Sequence, residues 1–152
     1  MSHFKLILDT NIVLDWLVFR DASVAGLQRA LDRGQIDIVT HAPAVDELRR
    51  VLGYAQLNLG IEQQQEVLAR YISHTRLVTL PPGLHLDDLG LPAGFPRCRD
   101  RDDQHFLALA YHERADALVS KDSAVLELTR RLQKFGITVF DRQQLAARLS
   151  FE

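Results

Sequence analysis

Residues 4–17, FKLILDTNIVLDWL, contain an abrupt change of pattern that indicates how the chain folds. A mainly apolar run of strand length, residues 4–8, stops at the polar triplet Asp9-Thr10-Asn11. An apolar segment with helical periodicity follows at once, so we interpret the stretch as a strand that leads through a polar turn into a helix. This arrangement places Asp9 at the carboxyl end of the strand, where open α/β sheets carry their binding sites.

The composition is typical of a globular protein. With 152 residues, of which 47% are apolar and 25% charged, we expect one domain over 1–152 that is long enough to bury a core. Cys98 is the only cysteine, which excludes an intrachain disulfide and argues against a thiolate zinc site. The histidines lack the spacing of a shared metal site, and we interpret His105 and His112 as surface or partly buried residues. The amino terminus has no basic segment followed by a long apolar run, so we expect no signal peptide, no membrane span and a cytoplasmic protein.

The balance of charges argues mildly against a nucleic-acid-binding protein. The net charge is −2, whereas proteins that bind nucleic acids are usually basic. Of the 18 basic residues, however, 15 are arginine, whose planar side chain is suited to bidentate contacts with phosphates. The charge therefore leaves this class of function open.

Apolar runs alternate with segments of helical periodicity along the whole chain. The further strands predicted from these runs are 36–39, 76–80, 117–120 and 137–140. Ser23 and Ser123 have the sequence context of helix N-caps, the second for a helix that runs through Lys134. Residues 81 to about 101 are rich in Pro and Gly, which predicts a surface loop. Strands that alternate with helices are typical of an α/β fold with a parallel sheet of about five strands, covered on both faces.

Other carboxylates can join Asp9 at its edge of the sheet. Asp122 repeats the pattern of Asp9, because the predicted strand 117–120 leads into a turn that carries an Asp before a helix. Asp103 falls in the first turn of the helix that precedes this strand, and Glu47 lies at the border of the buried face of the helix after the second strand. Helix starts that follow strands face the same edge, so these four acids are able to converge.

Each acid taken singly has a simpler explanation. An Asp at a helix N-terminus can act as a cap or complement the helix dipole, and Glu47 could pair with a neighbouring arginine. As a group they are harder to explain in this way, because two carboxylates about 4 Å apart repel by roughly 4 kcal/mol at an effective dielectric of about 20. A pocket with several acids must take up protons or hold a cation, and all-oxygen ligands favour Mg²⁺ or Mn²⁺ over zinc.

Four stretches of the chain resemble the PIN domain family: LILDTNIVLDWLVF (6–19), AVDELRRVL (44–52), CRDRDDQHFLALA (98–110) and LVSKDSAVL (118–126). They occur in the family's order and span nearly the whole chain. Within the family, the sequence is similar to the bacterial VapC-like PIN ribonucleases, the toxins of toxin–antitoxin systems. The resemblance implies a three-layer α/β/α sandwich around a central parallel sheet, in agreement with the alternation of strands and helices.

Carried over residue by residue, the resemblance implies four residues that are both catalytic and metal-binding: Asp9, Glu47, Asp103 and Asp122. It also implies a set of residues that orient these acids and a water molecule: Thr10, Asn11 and Ser120. Relatives often have Asp-Pro-Asp-Asp where this chain has Asp100-Arg101-Asp102-Asp103, so the loop lacks the constraint of a proline. Asp100 and Asp102 are grouped with the orienting residues.

The reaction implied by the resemblance is endonucleolytic hydrolysis of RNA phosphodiester bonds, with Mg²⁺ or Mn²⁺ as cofactor. Basic residues beside the acids in the sequence are candidates for contacts with substrate phosphates: Arg97, Arg99, Arg101 and Lys121. These cations could equally pair with neighbouring aspartates. The implied partners are an RNA substrate and a small cognate antitoxin protein, and a homodimer is a further option.

Three other functions share some of these sequence features. A haloacid-dehalogenase-like phosphatase also has an Asp after its first strand, but its second Asp would fall on Asn11. A receiver domain requires a phosphoacceptor Asp at the end of its third strand, where this chain has Pro81 and Pro82. A PIN-like module that binds RNA or protein without catalysis stays open, although none of the four acids is missing.

Overall fold

The computed structural model describes residues 3–79 and 90–150. The strands in these ranges are β1 (Phe4–Leu8), β2 (Ile36–Thr40), β3 (Arg76–Leu77), β4 (Ala117–Val119) and β5 (Val139–Phe140). The helices are α1 (Thr10–Leu17), α2 (Gly26–Asp32), α3 (Ala42–Leu52), α4 (Ile61–His74), α5 (Gln104–His112), α6 (Ser123–Leu126), α7 (Thr129–Gln133) and α8 (Arg142–Ser150). Across the described ranges, none of the helices combines the length and the apolar character needed to cross a membrane.

The sheet has the order β3-β2-β1-β4-β5, and every pair of neighbouring strands is parallel. The chain adds β2 and β3 on one side of β1, and then crosses to the other side of β1 for β4 and β5. In the centre, Leu6 lies opposite Ile38 of β2 and Ala117 of β4. Because strands are added first on one side of β1 and then on the other, the boundary between β1 and β4 is a topological switch point. A crevice opens there at the carboxyl ends of the strands.

Helices cover both faces of the sheet, because successive strand residues point to opposite sides. Leu6 and Leu8 pack in a buried cluster with residues of α1, α2, α3, α4 and α8. Ile7 packs in a second cluster with residues of α5, α6 and α7. The structure therefore confirms the predicted three-layer α/β/α architecture and its parallel sheet.

Both predicted serine caps are wrong, because an aspartate nearby occupies each capping position. The carboxylate of Asp21 accepts hydrogen bonds from the N–H and the hydroxyl of Ser23, at the start of a short 3₁₀ turn, Ala22–Val24. Asp122 caps α6 by accepting a hydrogen bond of 3.0 Å from Ala124 N–H. An ionised carboxylate is the stronger acceptor at the positive end of a helix. The single helix predicted through Lys134 is also wrong, since α6 and α7 are separate.

The predicted Pro- and Gly-rich loop is described only in its second half. Residues 81–89 lie outside the described residues, and so does Leu80, the last residue of the predicted third strand. Residues 90–100 contain neither helix nor strand, as expected. The last part of the predicted loop brings the chain to a 3₁₀ turn, Arg101–Asp103, directly before α5.

A buried ion-pair network holds α1 against the turn after β4. Asp15 of α1 is only 3% exposed, and its carboxylate accepts hydrogen bonds from Lys121 Nζ at 3.0 Å and Arg142 Nη1 at 3.2 Å. Arg142 also donates to Asp21 Oδ2 at 3.1 Å. The two cations replace the hydration that the buried carboxylate loses, so the network joins α1, the β4 turn and α8.

We expect Asp15→Ala to lower the free energy of unfolding by about 2 kcal/mol, because it leaves two partly buried cations without their shared partner. Asp32→Ala is the matched control, since Asp32 is exposed and accepts one hydrogen bond from Gln28; we expect a change below about 0.5 kcal/mol there. Urea unfolding followed by circular dichroism measures both. Equal stability of the two variants would show that the network does not support the fold.

Candidate active site

Asp9 and Asp122 lie on either side of the switch point, joined through Ser120. Asp9 follows β1 and is 2% exposed, and its N–H donates to the carbonyl of Val119 in β4 at 3.1 Å. The fully buried hydroxyl of Ser120 makes a short hydrogen bond to Asp9 Oδ2 and accepts one of 3.0 Å from the N–H of Asp122. A single hydroxyl thus fixes the position of one acid and of the backbone that carries the other.

Both aspartates also cap helices. Asp9 Oδ1 accepts a hydrogen bond of 3.1 Å from Ile12 N–H at the start of α1, while Asp9 Oδ2 is the oxygen bound by Ser120. Burial raises the pKa of Asp9 to about 6, and repulsion from Asp122 and Glu47 adds to the effect against the opposing hydrogen bonds. A cap and a site acid are therefore compatible roles for the same residue.

In the described residues, Asp100, Asp103 and Asp122 form a group of possible metal ligands, each with a carboxylate oxygen within 4.8 Å of the others. Asp100 caps the 3₁₀ turn by accepting Asp102 N–H at 3.0 Å, and the turn brings Asp103 toward Asp122. Burial, a hydrogen bond to Asp122 and repulsion from Asp9 and Asp100 together raise the pKa of Asp103 to about 8. The same hydrogen bond lowers the pKa of Asp122.

Glu47 reaches the site from α3, where it contacts two polar side chains. The hydroxyl of Thr10 makes a short hydrogen bond to Glu47 Oε2, and His105 Nε2 lies 3.6 Å from the same oxygen. Burial acts to raise the pKa of Glu47, but the contacts with His105 and Thr10 outweigh it, so the pKa lies below its usual value. Glu47 is thus held as a carboxylate with a defined orientation.

His105, which contacts Glu47, also packs against His41 with the two rings tilted by 42°. The rings of His41 and His105 have centroids 5.1 Å apart. Burial, together with the neighbouring His105, lowers the pKa of His41 to about 4, and the neutral ring accepts the N–H of Ala44 through Nδ1 at 3.4 Å. Neither the contact of His105 with Glu47 nor the contact between the two rings was predicted, because the residues lie far apart in the sequence and no local pattern links them.

The acids line one cavity of about 350 Å³ at the carboxyl edge of the sheet. The predicted site residues that line it are Asp9, Thr10, Asn11, Glu47, Asp100, Asp102, Asp103 and Asp122. Asp100 was grouped with residues that orient the acids, but its carboxylate stands in the tight cluster. Asn11 and Asp102 are exposed at the rim.

The four predicted phosphate-binding cations occupy different surroundings. Arg99 pairs with Glu127 at 3.1 Å, and Lys121 pairs with Asp15 at 3.0 Å. Arg97 is exposed, and Arg101 lines a second cavity next to the acids. Arg50 and Tyr54 near this edge were not predicted; Arg50 lines the second cavity and Tyr54 lines the acidic one.

The donor set fits a divalent cation. The clustered groups are carboxylate oxygens, which suit Mg²⁺ and Mn²⁺. Burial, and to a smaller extent repulsion between the carboxylates, raises the pKa of Asp9 and Asp103, and a bound cation would favour their ionised forms. Asp100, Asp103 and Asp122 are placed to hold such an ion, with Asp9 adjacent.

A family model with the description PIN domain matches residues 5–124, which include all of these acids. The chain belongs to the PIN domain family. The resemblance noted in the sequence is thereby confirmed. PIN domains are generally nucleases and typically use divalent metals, in keeping with the acidic cluster.

Solved structures show the same fold at low sequence identity. PAE2754 from Pyrobaculum aerophilum superimposes with a TM-score of 0.62 at 16% identity, over 99% of this chain and 100% of that one. VapBC2 from Rickettsia felis, bound to a DNA fragment from their promoter, superimposes with a TM-score of 0.59 at 17% identity, over 90% of this chain and 98% of that one. No curated protein matches the chain in sequence.

The buried and crowded acids lead us to expect that the free energy of unfolding of the metal-free protein depends on pH. Because the pKa of Asp103 is raised from 3.8 to about 8, the folded state binds more protons than the unfolded state between these values, and stability falls as pH rises through the window. We expect Asp103→Asn in EDTA to be more stable than wild type at pH 8 by about 1 kcal/mol, a figure reduced for the solvent screening of this half-exposed group. The difference should shrink toward pH 5.

Thermal unfolding at both pH values measures this effect. Asp102→Asn is the matched control, since it removes an exposed carboxylate from the same turn. The depressed pKa of His41 acts in the opposite direction, with stability lost as pH falls from 6.5 toward 4, but it is common to all the variants and cancels in the comparison. A variant no more stable than wild type at pH 8 would contradict the expectation.

Proposed function

We propose that this PIN protein is a metal-dependent endoribonuclease and the toxin of a toxin–antitoxin pair. The observation that carries the proposal is the group formed by Asp100, Asp103 and Asp122 beside the buried Asp9, in a chain of the PIN family. The substrate is RNA, and the cofactor is Mg²⁺ or Mn²⁺. The proposed partner is a small cognate antitoxin, by analogy with VapBC2, which shares the fold, and the proposed location is the cytoplasm.

The chain's own residues have distinct tasks in this proposal. Asp9, Asp100, Asp103 and Asp122 would hold the cation, which would lower the pKa of a water molecule and neutralise charge on the phosphate. Glu47, oriented by Thr10 and His105, accepts a hydrogen bond from the attacking water. Ser120 keeps Asp9 in place. The water oxygen attacks the phosphorus in line with the leaving oxygen, so that one P–O bond forms as the other breaks, the water loses a proton and the leaving oxygen gains one.

Cleavage of a mixed RNA pool, with Mn²⁺ or with EDTA, tests the proposal. We expect cleavage only with Mn²⁺, and a loss of about 100-fold or more in Asp9→Asn, which removes a charge from the cation site. Asp32→Asn is the control on an exposed helix. Cleavage in EDTA, or equal activity of Asp9→Asn, would contradict the assignment. No cleavage and no metal binding would favour a PIN-like binding module instead.

The role of Ser120 can be tested separately. Ser120→Ala removes the hydrogen bond to Asp9 and the acceptor of the Asp122 N–H, so we expect kcat to fall about 10- to 100-fold. Ser120→Thr keeps the hydroxyl and should retain most of the activity. If the alanine and threonine variants are equally active, the hydroxyl has no positioning role.

A further inference from the structure

A second cavity of about 330 Å³ adjoins the acidic cavity. Glu47 and Asp102 line both, so the two spaces share a wall. On its other sides the second cavity is lined by Pro43, Asp46, Arg50, Arg101 and His105, and the charge of Asp46 is paired with Arg49. We name it the arginine cavity after its two guanidinium groups. Its volume is within the range of roughly 300–1,000 Å³ of ligand pockets.

The two arginines differ from Arg49, Arg99 and Lys121 in having no ion pair within the described part of the chain, although the charges of Glu47 and Asp102 act on Arg50 from a greater distance. Arg49 pairs with Asp46 at 3.0 Å, and Arg99 and Lys121 are each committed to a carboxylate. Among the described residues, Arg50 and Arg101 have no carboxylate within ion-pair distance. Arg97 shares this property but lines neither cavity. The charges of Arg50 and Arg101 are therefore available to an anion beside the carboxylates.

Tyr54 continues the arginine cavity toward the acids. Its side chain is 46% exposed and lines the acidic cavity, while a hydrogen bond from Arg50 to its hydroxyl raises the pKa of Arg50. An exposed ring held at its hydroxyl offers a flat face on which an unpaired base can stack. Arg50 and Tyr54 thus link the two cavities.

A chain of phosphates that approaches the acidic cavity meets strong repulsion unless cations lie along its path. Guanidinium groups suit this task, because their planar fork binds phosphate oxygens in pairs. We propose that Arg50 and Arg101 bind backbone phosphates of the RNA beside the scissile bond, while Tyr54 stacks on a neighbouring base. This inference rests on the proposed nuclease function. Stacking on Tyr54 would favour single-stranded RNA, since a base in a duplex cannot stack on a protein ring.

Fluorescence anisotropy with a labelled 12-nucleotide single-stranded RNA tests the inference, with Asp9→Asn as a common background that prevents cleavage. We expect Arg50→Ala and Arg101→Ala each to weaken binding roughly fivefold or more, and to reduce the slope of log K against log salt by about 0.7. Arg33→Ala is the matched control, because Arg33 precedes β2 and lies at the opposite edge of the sheet. It should bind as its parent does.

Two substitutions of Tyr54 distinguish the contribution of base stacking from that of the hydroxyl hydrogen bond. Tyr54→Phe keeps the ring and should bind within about twofold of its parent, whereas Tyr54→Ala should lose about fivefold or more. Duplex RNA of the same length should bind more weakly than the single strand. In cleavage assays without the Asp9 substitution, Arg50→Ala should raise KM and change kcat by less than about threefold.

The outcomes distinguish this inference from the proposed function. If Mn²⁺-dependent cleavage is lost in Asp9→Asn but both arginine variants match Arg33→Ala, the nuclease assignment stands and the arginine cavity has no role. If no RNA is cleaved, the affinity for RNA still tests the inference. Weaker RNA binding by both arginine variants would support the phosphate subsite. Undiminished binding in the variants, or no RNA binding by the parent protein, overturns it.

Discussion

The parallel pairing of β1 with β4 is the constraint on which the rest of the site depends. Because Leu8 lies opposite Val119, the chain segments that follow these strands leave the sheet side by side. Ser120 can then bond to Asp9 and to the backbone of Asp122 at once. Asp103, at the end of the 3₁₀ turn, reaches the crevice between these two strands. The register of β1 against β4 therefore brings Asp9, Asp103 and Asp122 together.

The acids show how a single side chain can stabilise a helix and still serve a site. Asp9 uses one oxygen to cap α1 and the other to bind Ser120. Capping contributes favourably to folding, whereas the burial and crowding of the carboxylates oppose it, as the raised pKa values of Asp9 and Asp103 show. The buried clusters on both faces of the sheet offset this local cost.

Much of the fold could be predicted because its signals are local. The strand, turn and helix around Asp9 and Asp122 lie within a few residues, and the alternation of such units indicates a parallel sheet. The strand order is not local, so the sequence could not show which strands flank β1. Family resemblance placed Glu47 near the other acids, whereas its contact with His105 depends on the packing of α3 against α5.

Long-range ion pairs were the part of the site that sequence reasoning could not resolve. Lys121 lies next to Asp122 and has the context of a phosphate ligand, yet its partner Asp15 is 106 residues away. Arg99 is similar, with Glu127 at a separation of 28 residues. Only the folded structure distinguishes cations that are already engaged in ion pairs from Arg50 and Arg101, which have no such pair in the described part of the chain.

The PIN family match ends at residue 124, but β5 and α8 lie beyond it. β5 pairs with β4 through Leu118 and Val139, and α8 contributes Arg142 to Asp15. A chain cut at the end of the match would turn β4 into an open edge beside Ser120, a template for strand addition and aggregation. The cooperative unit of folding is therefore larger than the segment that carries the family's sequence pattern.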